Sequence, residues 1–167
     1  MKFSHNKYVD PATGRIYLER WNFDFFGLFS IKLHKFHDSG ITPYPHDHPW
    51  DFVSIILSGG YVEERHFEDG TTETIRHKPG RIVVRKARDR HRVLEVFKPN
   101  WSLVFCSPRK RHWGYWIDGK WCWWPAYFWP DEIGEMAAMA KQKNDAAIMG
   151  LSHGRVKFPK NLPYFQD

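Results

Sequence analysis

PHDHPWD, residues 45–51, sets His46 and His48 one residue apart between Pro45 and Pro49, with Trp50 and Asp51 following. On an extended chain residues i and i+2 point to the same side, so the two imidazoles aim at one point. Neutral imidazole is the commonest side-chain ligand for first-row transition metals, and the flanking prolines stiffen the backbone that carries the pair. The same alternation puts Trp50, Phe52, Ser54 and Ile56 on the side of the histidines, as a wall that is as much core as pocket. A metal centre built this way needs a third ligand from elsewhere in the chain.

The sequence around this stretch reads as strands. Segments 15–21, 28–36, 52–57, 61–67, 71–77, 81–85, 91–97 and 101–106 have strand length and are rich in β-branched or aromatic residues. Turn chemistry separates them. Asp10-Pro11-Ala12-Thr13-Gly14 is a turn, and Asp69-Gly70 and Asp118-Gly119 suit tight hairpins, the second joining 112–117 to 120–124. A succession of short strands predicts an all-β sandwich or barrel. The pattern changes after Pro130. Asp131 and Glu132 begin, and Lys141 and Lys143 follow, a helix carried by Ile133, Met136, Ala137 and Ala140 and stopped by Gly150. The expected organisation is one β-barrel domain over 1–130, a helix over 131–150 on or beside it, and a tail over 151–167.

A length of 167 residues fits one domain, and an aromatic content of 17% argues against disorder. No apolar run is long enough to span a bilayer, and MKFSHNKYVD has no apolar stretch behind its lysine, so no membrane partner and a cytoplasmic location are expected. Cys106 and Cys122 are the two cysteines, too few for a disulfide scaffold. The net charge of +6 predicts an anionic partner. Its cations crowd into Arg81–Arg92 and Arg109–Arg111.

From Pro45 to Val96 the chain resembles a cupin. The first motif of that family runs from H-x-H across a strand to a glycine, here His46-Asp47-His48, then Phe52–Ser58, then Gly59-Gly60. The second begins at a P-G turn and ends on a histidine, here Pro79-Gly80, then Arg81–Arg85, then His91. The resemblance implies a double-stranded β-helix, or jelly-roll barrel, in which His46, His48 and His91 converge on one divalent transition metal. Iron is the first expectation, and histidine serves manganese, nickel and zinc as well. The usual glutamate position of the family falls on Phe52. Asp51 lies one residue away, and only a bulge after Pro49 would turn it inward as a fourth ligand. Lys86 and Arg88 stand where the family has a proline and a glycine. Cupins with three histidines and no glutamate include the thiol dioxygenases.

Alternation from His91 places Glu95 on the ligand side of its strand, and Tyr61 leads a strand whose Tyr61, Glu63 and Arg65 share a face. Glu95 and Tyr61 are therefore the candidates for proton handling. Arg85, Arg88 and Arg90 lie in the segment that delivers His91, so with Trp50 they are the expected substrate contacts at the barrel mouth. The other histidines, His34 and His77 among them, read as ordinary surface or satisfied residues. The function these residues predict is metal-dependent redox chemistry on a small organic anion. The alternatives are a non-redox isomerase or epimerase and a ligand- or nucleic-acid-binding module, with a nucleotide or nucleic acid as partner. Pairing of cupins through their sheets implies a homodimer.

Overall fold

The structure, a computed structural model, describes residues 1–10, 13–39 and 42–128. Among them run the strands β1 (Lys2–Val9), β2 (Ile16–Phe25), β3 (Phe29–Phe36), β4 (Phe52–Ser58), β5 (Tyr61–His66), β6 (Thr72–His77), β7 (Ile82–Arg85), β8 (Arg90–Val96), β9 (Asn100–Cys106), β10 (Gly114–Ile117) and β11 (Lys120–Trp123), and a short helix α1 (Trp124–Phe128). The helix and tail expected over 131–150 and 151–167 lie outside the described residues. None of the described helices is long and apolar enough to cross a membrane.

A six-stranded sheet in the order β1-β2-β3-β9-β4-β7 faces a three-stranded sheet, β6-β5-β8, and β10-β11 forms a separate hairpin. Every pairing is antiparallel. Ile56, Tyr61 and Val83 meet in the core between the two larger sheets, with Val93 and Val96 against them. The crossing from β4 to β5 depends on Gly59 and Gly60, at φ 69° and 108°. A Cβ at Gly59 would overlap the Phe97 carbonyl and one at Gly60 the His77 carbonyl, so this turn brings both edges of the barrel into close approach.

The strands follow the sequence reading closely, with three departures. β1 is an additional edge strand, registered Lys2 to Asp24 through Val9 to Ile16. At Asp69-Gly70 only the glycine has positive φ, whereas both Asp118 and Gly119 do, so only the second is a two-residue turn of the mirror-image type. The third departure is a bulge in β8. Val62 faces Glu95 and Glu63 faces Val93, which leaves Leu94 as an extra residue. His91 and Val93 point inward before the bulge and Val96 after it, and Glu95 is turned to the exposed outer face.

Candidate metal centre

Residues 45–48 leave the loop and behave as a short strand between two others. His46 N–H donates to His91 O at 2.9 Å and His91 N–H to His46 O at 3.0 Å, closing an antiparallel bridge, and a second bridge joins His46 to Tyr115. His48 N–H donates to Ala87 O at 3.0 Å. This pairing imposes strand alternation on the H-x-H, so both imidazoles turn inward. Asp47 turns the other way and is fully buried. Its carboxylate accepts from Arg111 at 2.7 Å, Gly114 N–H at 2.9 Å, Trp121 Nε1 at 3.1 Å and Trp116 Nε1 at 3.2 Å. One aspartate thus ties the tryptophan-rich hairpin to the back of the histidine pair.

His46, His48 and His91 bring one nitrogen each to within 4.8 Å of one another. His48 Nε2 and His91 Nε2 are 2.7 Å apart. Behind His91, its Nδ1 lies 2.5 Å from Glu63 Oε1. Ionised carboxylate only accepts, so Nδ1 carries the proton and Nε2 presents its lone pair to the cluster. Burial, then the charge of His91, pushes the His46 pKa down to about 3, and the same causes hold that of His48 well below the usual imidazole value. At 2.7 Å a proton lies between His48 Nε2 and His91 Nε2, and a cation held by the three rings would take its place. Nitrogens around one first-row ion lie about 3.0–3.4 Å apart for bonds near 2.1 Å, a spacing between the 2.7 Å of His48 and His91 and the 4.8 Å limit of the cluster.

Glu63 is the hub of this arrangement. It is fully buried and, besides His91, takes His77 Nε2 at 2.7 Å, Arg85 Nε at 3.1 Å and a second, shorter bond from Arg85 Nη2. Burial alone would raise its pKa. The bonds from His77 and His91, the charge of His91 and the bond from Arg85 outweigh that and hold the carboxyl well below its ordinary value.

The centre opens onto a cavity of about 290 Å³. Tyr61 and Trp50 line it, as do Phe52 and Ser54 from the expected wall, with Ile56 lying deeper in the core. Burial, then the Glu63 charge, raises the Tyr61 pKa, so the phenol keeps its proton.

Other expected site residues lie elsewhere, each for a physical reason. Asp51 is outside the cluster because no bulge intervenes before β4. Its carboxylate faces away, accepting Ala87 N–H at 2.8 Å and Lys110 Nζ at 2.6 Å, and it braces the turn whose Ala87 carbonyl holds His48. The β8 bulge removes Glu95 from the cavity. Arg85 is turned inward by β7 alternation and committed to Glu63, Arg88 is exposed, and Arg90 lies 3.4 Å above the Trp116 ring centroid. None of the three lines the cavity. Arg92 does, with Nε on Glu64 at 2.7 Å. Sequence reasoning missed Asp47, Glu63 and His77 as organisers, and it missed Arg20, Lys32 and His34 as cavity residues. The available signal was charge at inward strand positions, where an unpaired group is costly.

No family model matches this sequence, and no curated protein matches it. Solved structures do. The 7S globulin of Momordica charantia superimposes with a TM-score of 0.53 at 10% identity, over 70% of this chain and 36% of that one. Vicilin from Solanum melongena gives 0.50 at 10% identity, over 68% and 34%. Oxalate decarboxylase from Bacillus subtilis gives 0.50 at 10% identity, over 64% and 27%. All are cupin-fold proteins, and at these identities the likeness concerns the fold alone. The antiparallel barrel around His46, His48 and His91 is a cupin fold.

Proposed function

We propose that this protein is a metal-dependent cupin enzyme that performs redox chemistry on a small organic anion. The fold is shared by a decarboxylase and a 7S globulin, so the site must carry the functional reading. The observation that carries it is the convergence of three imidazoles, one braced by a buried carboxylate, in the wall of a cavity of about 290 Å³.

His46, His48 and His91 would hold one divalent first-row ion, with iron the first choice. Such an ion supplies a Lewis-acidic, redox-active centre with coordination positions left open towards the cavity. Glu63 fixes the orientation and tautomer of His91 and makes it the better donor. Phe52, packed edge-on to His48 with ring centroids 4.9 Å apart, and Trp113 supply aromatic lining beside the centre. Tyr61 holds its proton at the cavity wall, where it can donate a hydrogen bond to a bound oxyanion.

Metal-stripped protein reloaded with ferrous ion and offered small carboxylates and phosphates tests the reading. Dioxygen consumption that depends on both iron and one of these compounds, and that is lost in His48→Ala, is the expected result. A reloaded protein that consumes no dioxygen but interconverts isomers would replace the redox reading with an isomerase.

A further inference from the structure

Two cations stand in the cavity wall with no carboxylate in direct ion-pair contact among the described residues. Lys32, on β3, is 4% exposed. Its ammonium donates to Asn22 Oδ1 at 2.7 Å and Ser30 Oγ at 2.8 Å and lies 4.3 Å from the Trp50 ring centroid, all neutral partners. Arg20, on β2, donates from Nε to His34 Nε2 at 2.9 Å and from Nη1 to the Tyr8 hydroxyl at 3.1 Å. Burial, then the charges of Arg20 and Lys32, pushes the His34 pKa well down, so that ring is neutral too. Arg20 pairs with His34 and Asn22 with Lys32 across β2 and β3, which sets both cations on the inward face.

Among the described residues no carboxylate lies within ion-pair distance of either cation. Asp24, which lines a neighbouring cavity, is near enough for its charge to act on Lys32, but it makes no ion pair with it and its carboxylate accepts Gly27 N–H at 2.9 Å. Among the described residues, Arg85 is paired with Glu63, Arg92 with Glu64 and Arg111 with Asp47, while the half-buried Arg90 rests on the Trp116 ring. A buried charge left with neutral partners is costly, and the cost is recovered when an anion arrives. The position suits one. Lys32, Arg20, Tyr8 and Trp50 line both the metal-facing cavity and a second cavity of about 320 Å³ that Asn6, Ser30 and Arg109 also bound. They form the boundary between the two, reachable from either.

We propose that Lys32 and Arg20 form an oxyanion subsite. It receives the carboxylate or phosphate of the substrate, whose remainder reaches through the apolar cavity towards His46, His48 and His91. The second half rests on the function proposed above; the subsite itself does not. The third N–H of Lys32 and the remaining Nη donors of Arg20 supply the bonds, with Arg20 able to present a planar pair.

The test titrates the protein with inorganic phosphate and, separately, acetate at constant ionic strength, in metal-loaded and metal-stripped forms, against chloride. The expected result is saturable binding of at least one oxyanion in both forms, weakened tenfold or more in Lys32→Met and in Arg20→Gln and retained in His48→Ala. A response to phosphate alone identifies a phosphate group, and one to acetate alone a carboxylate. Lys32→Met is also expected to unfold at the same temperature as the wild type or higher in anion-free buffer, because it removes a buried charge that has no ion-pair partner and keeps the aliphatic volume. Binding no tighter than chloride, wild-type affinity in both variants, or binding lost with the metal would overturn the proposal. So would a Lys32→Met protein that unfolds at a lower temperature, which marks the ammonium as structural. If the metal reading fails, the metal-stripped titration still decides this one.

Discussion

Replacing Glu63 by glutamine removes one charge and almost no volume, and two separate consequences follow. Arg85 Nε and Nη2 and His77 Nε2 all face the carboxylate, so the variant leaves a buried guanidinium without its anion and turns an amide NH2 towards other donors. Breaking one side of a buried ion pair costs about 3–5 kcal/mol, a large part of the roughly 5–15 kcal/mol that a domain has in all. The second consequence is local to His91, whose Nδ1 proton exchanges an anionic acceptor for at most a neutral amide oxygen. Loss of such a partner lowers metal affinity roughly 10- to 100-fold. The two are separable with Glu63→Gln/Arg85→Met, in which the stranded charge is gone but His91 still lacks its carboxylate. Urea unfolding of the metal-stripped forms should show the double variant regaining most of the lost stability. Competition with a metal chelator should show its affinity still reduced to the level of Glu63→Gln. A single variant that loses less than about 1 kcal/mol, or a double variant as unstable as the single one, would refute the account of Glu63 as a charge hub, given the expected cost of 3–5 kcal/mol.

Acid should act earlier than carboxylate titration alone would require. His34, His46 and His48 have folded-state pKa values below the usual 6.5, so the unfolded chain binds protons first, and stability is complete above about pH 6.5 and drains as pH falls. The slope is up to about 1.4 kcal/mol per pH unit for each histidine, and urea midpoints of the metal-stripped protein between pH 7.5 and 5 measure it; a flat profile over that range contradicts their burial as neutral rings. Asp51→Asn should keep metal with reduced affinity by chelator competition, since it loosens the Ala87 turn and removes no ligand; complete loss from a folded variant would place Asp51 on the ion. The outer sheet face exposes Val53, Leu57, Ile82, Val84 and Phe105, with Val53 registered against both Val84 and Phe105, and is proposed to pair two copies of the chain. Ile82→Lys should then yield a monomer by light scattering, and an unchanged mass would remove that face as the interface.

Most of the strand ladder was legible because each strand carries its own period and its own turn. β1 was not, since KFSHNKYV mixes charge into an edge strand that needs only one partner. The histidine cluster was legible from H-x-H and a distant P-G…H, because alternation and a fixed loop suffice to aim those rings. What stayed hidden depends on pairing between strands. Glu63 shares a face with Tyr61 in any reading of β5, yet its worth comes from His77, Arg85 and His91, delivered by β6, β7 and β8. Glu95 was misplaced because alternation cannot foresee the extra residue at Leu94. The basic segment stands out by charge density, whereas Arg85, Arg90 and Arg92 fold back onto Glu63, Trp116 and Glu64 and Arg81, Lys86 and Arg88 are exposed. The cations without an ion-pair partner in the cavity wall are two isolated residues, Arg20 and Lys32, whose meeting is fixed by the register of β2 on β3.

The central claim is that His46, His48 and His91 hold one metal ion, and metal analysis joined to X-ray absorption on the purified protein tests it most directly. The account predicts one first-row ion per chain, with three imidazole nitrogens at about 2.0–2.2 Å, lost on replacing any one of the three by alanine and kept in His5→Ala. A folded protein that retains no metal after purification and takes up none on titration, or one whose metal survives His91→Ala with unchanged coordination, would contradict it.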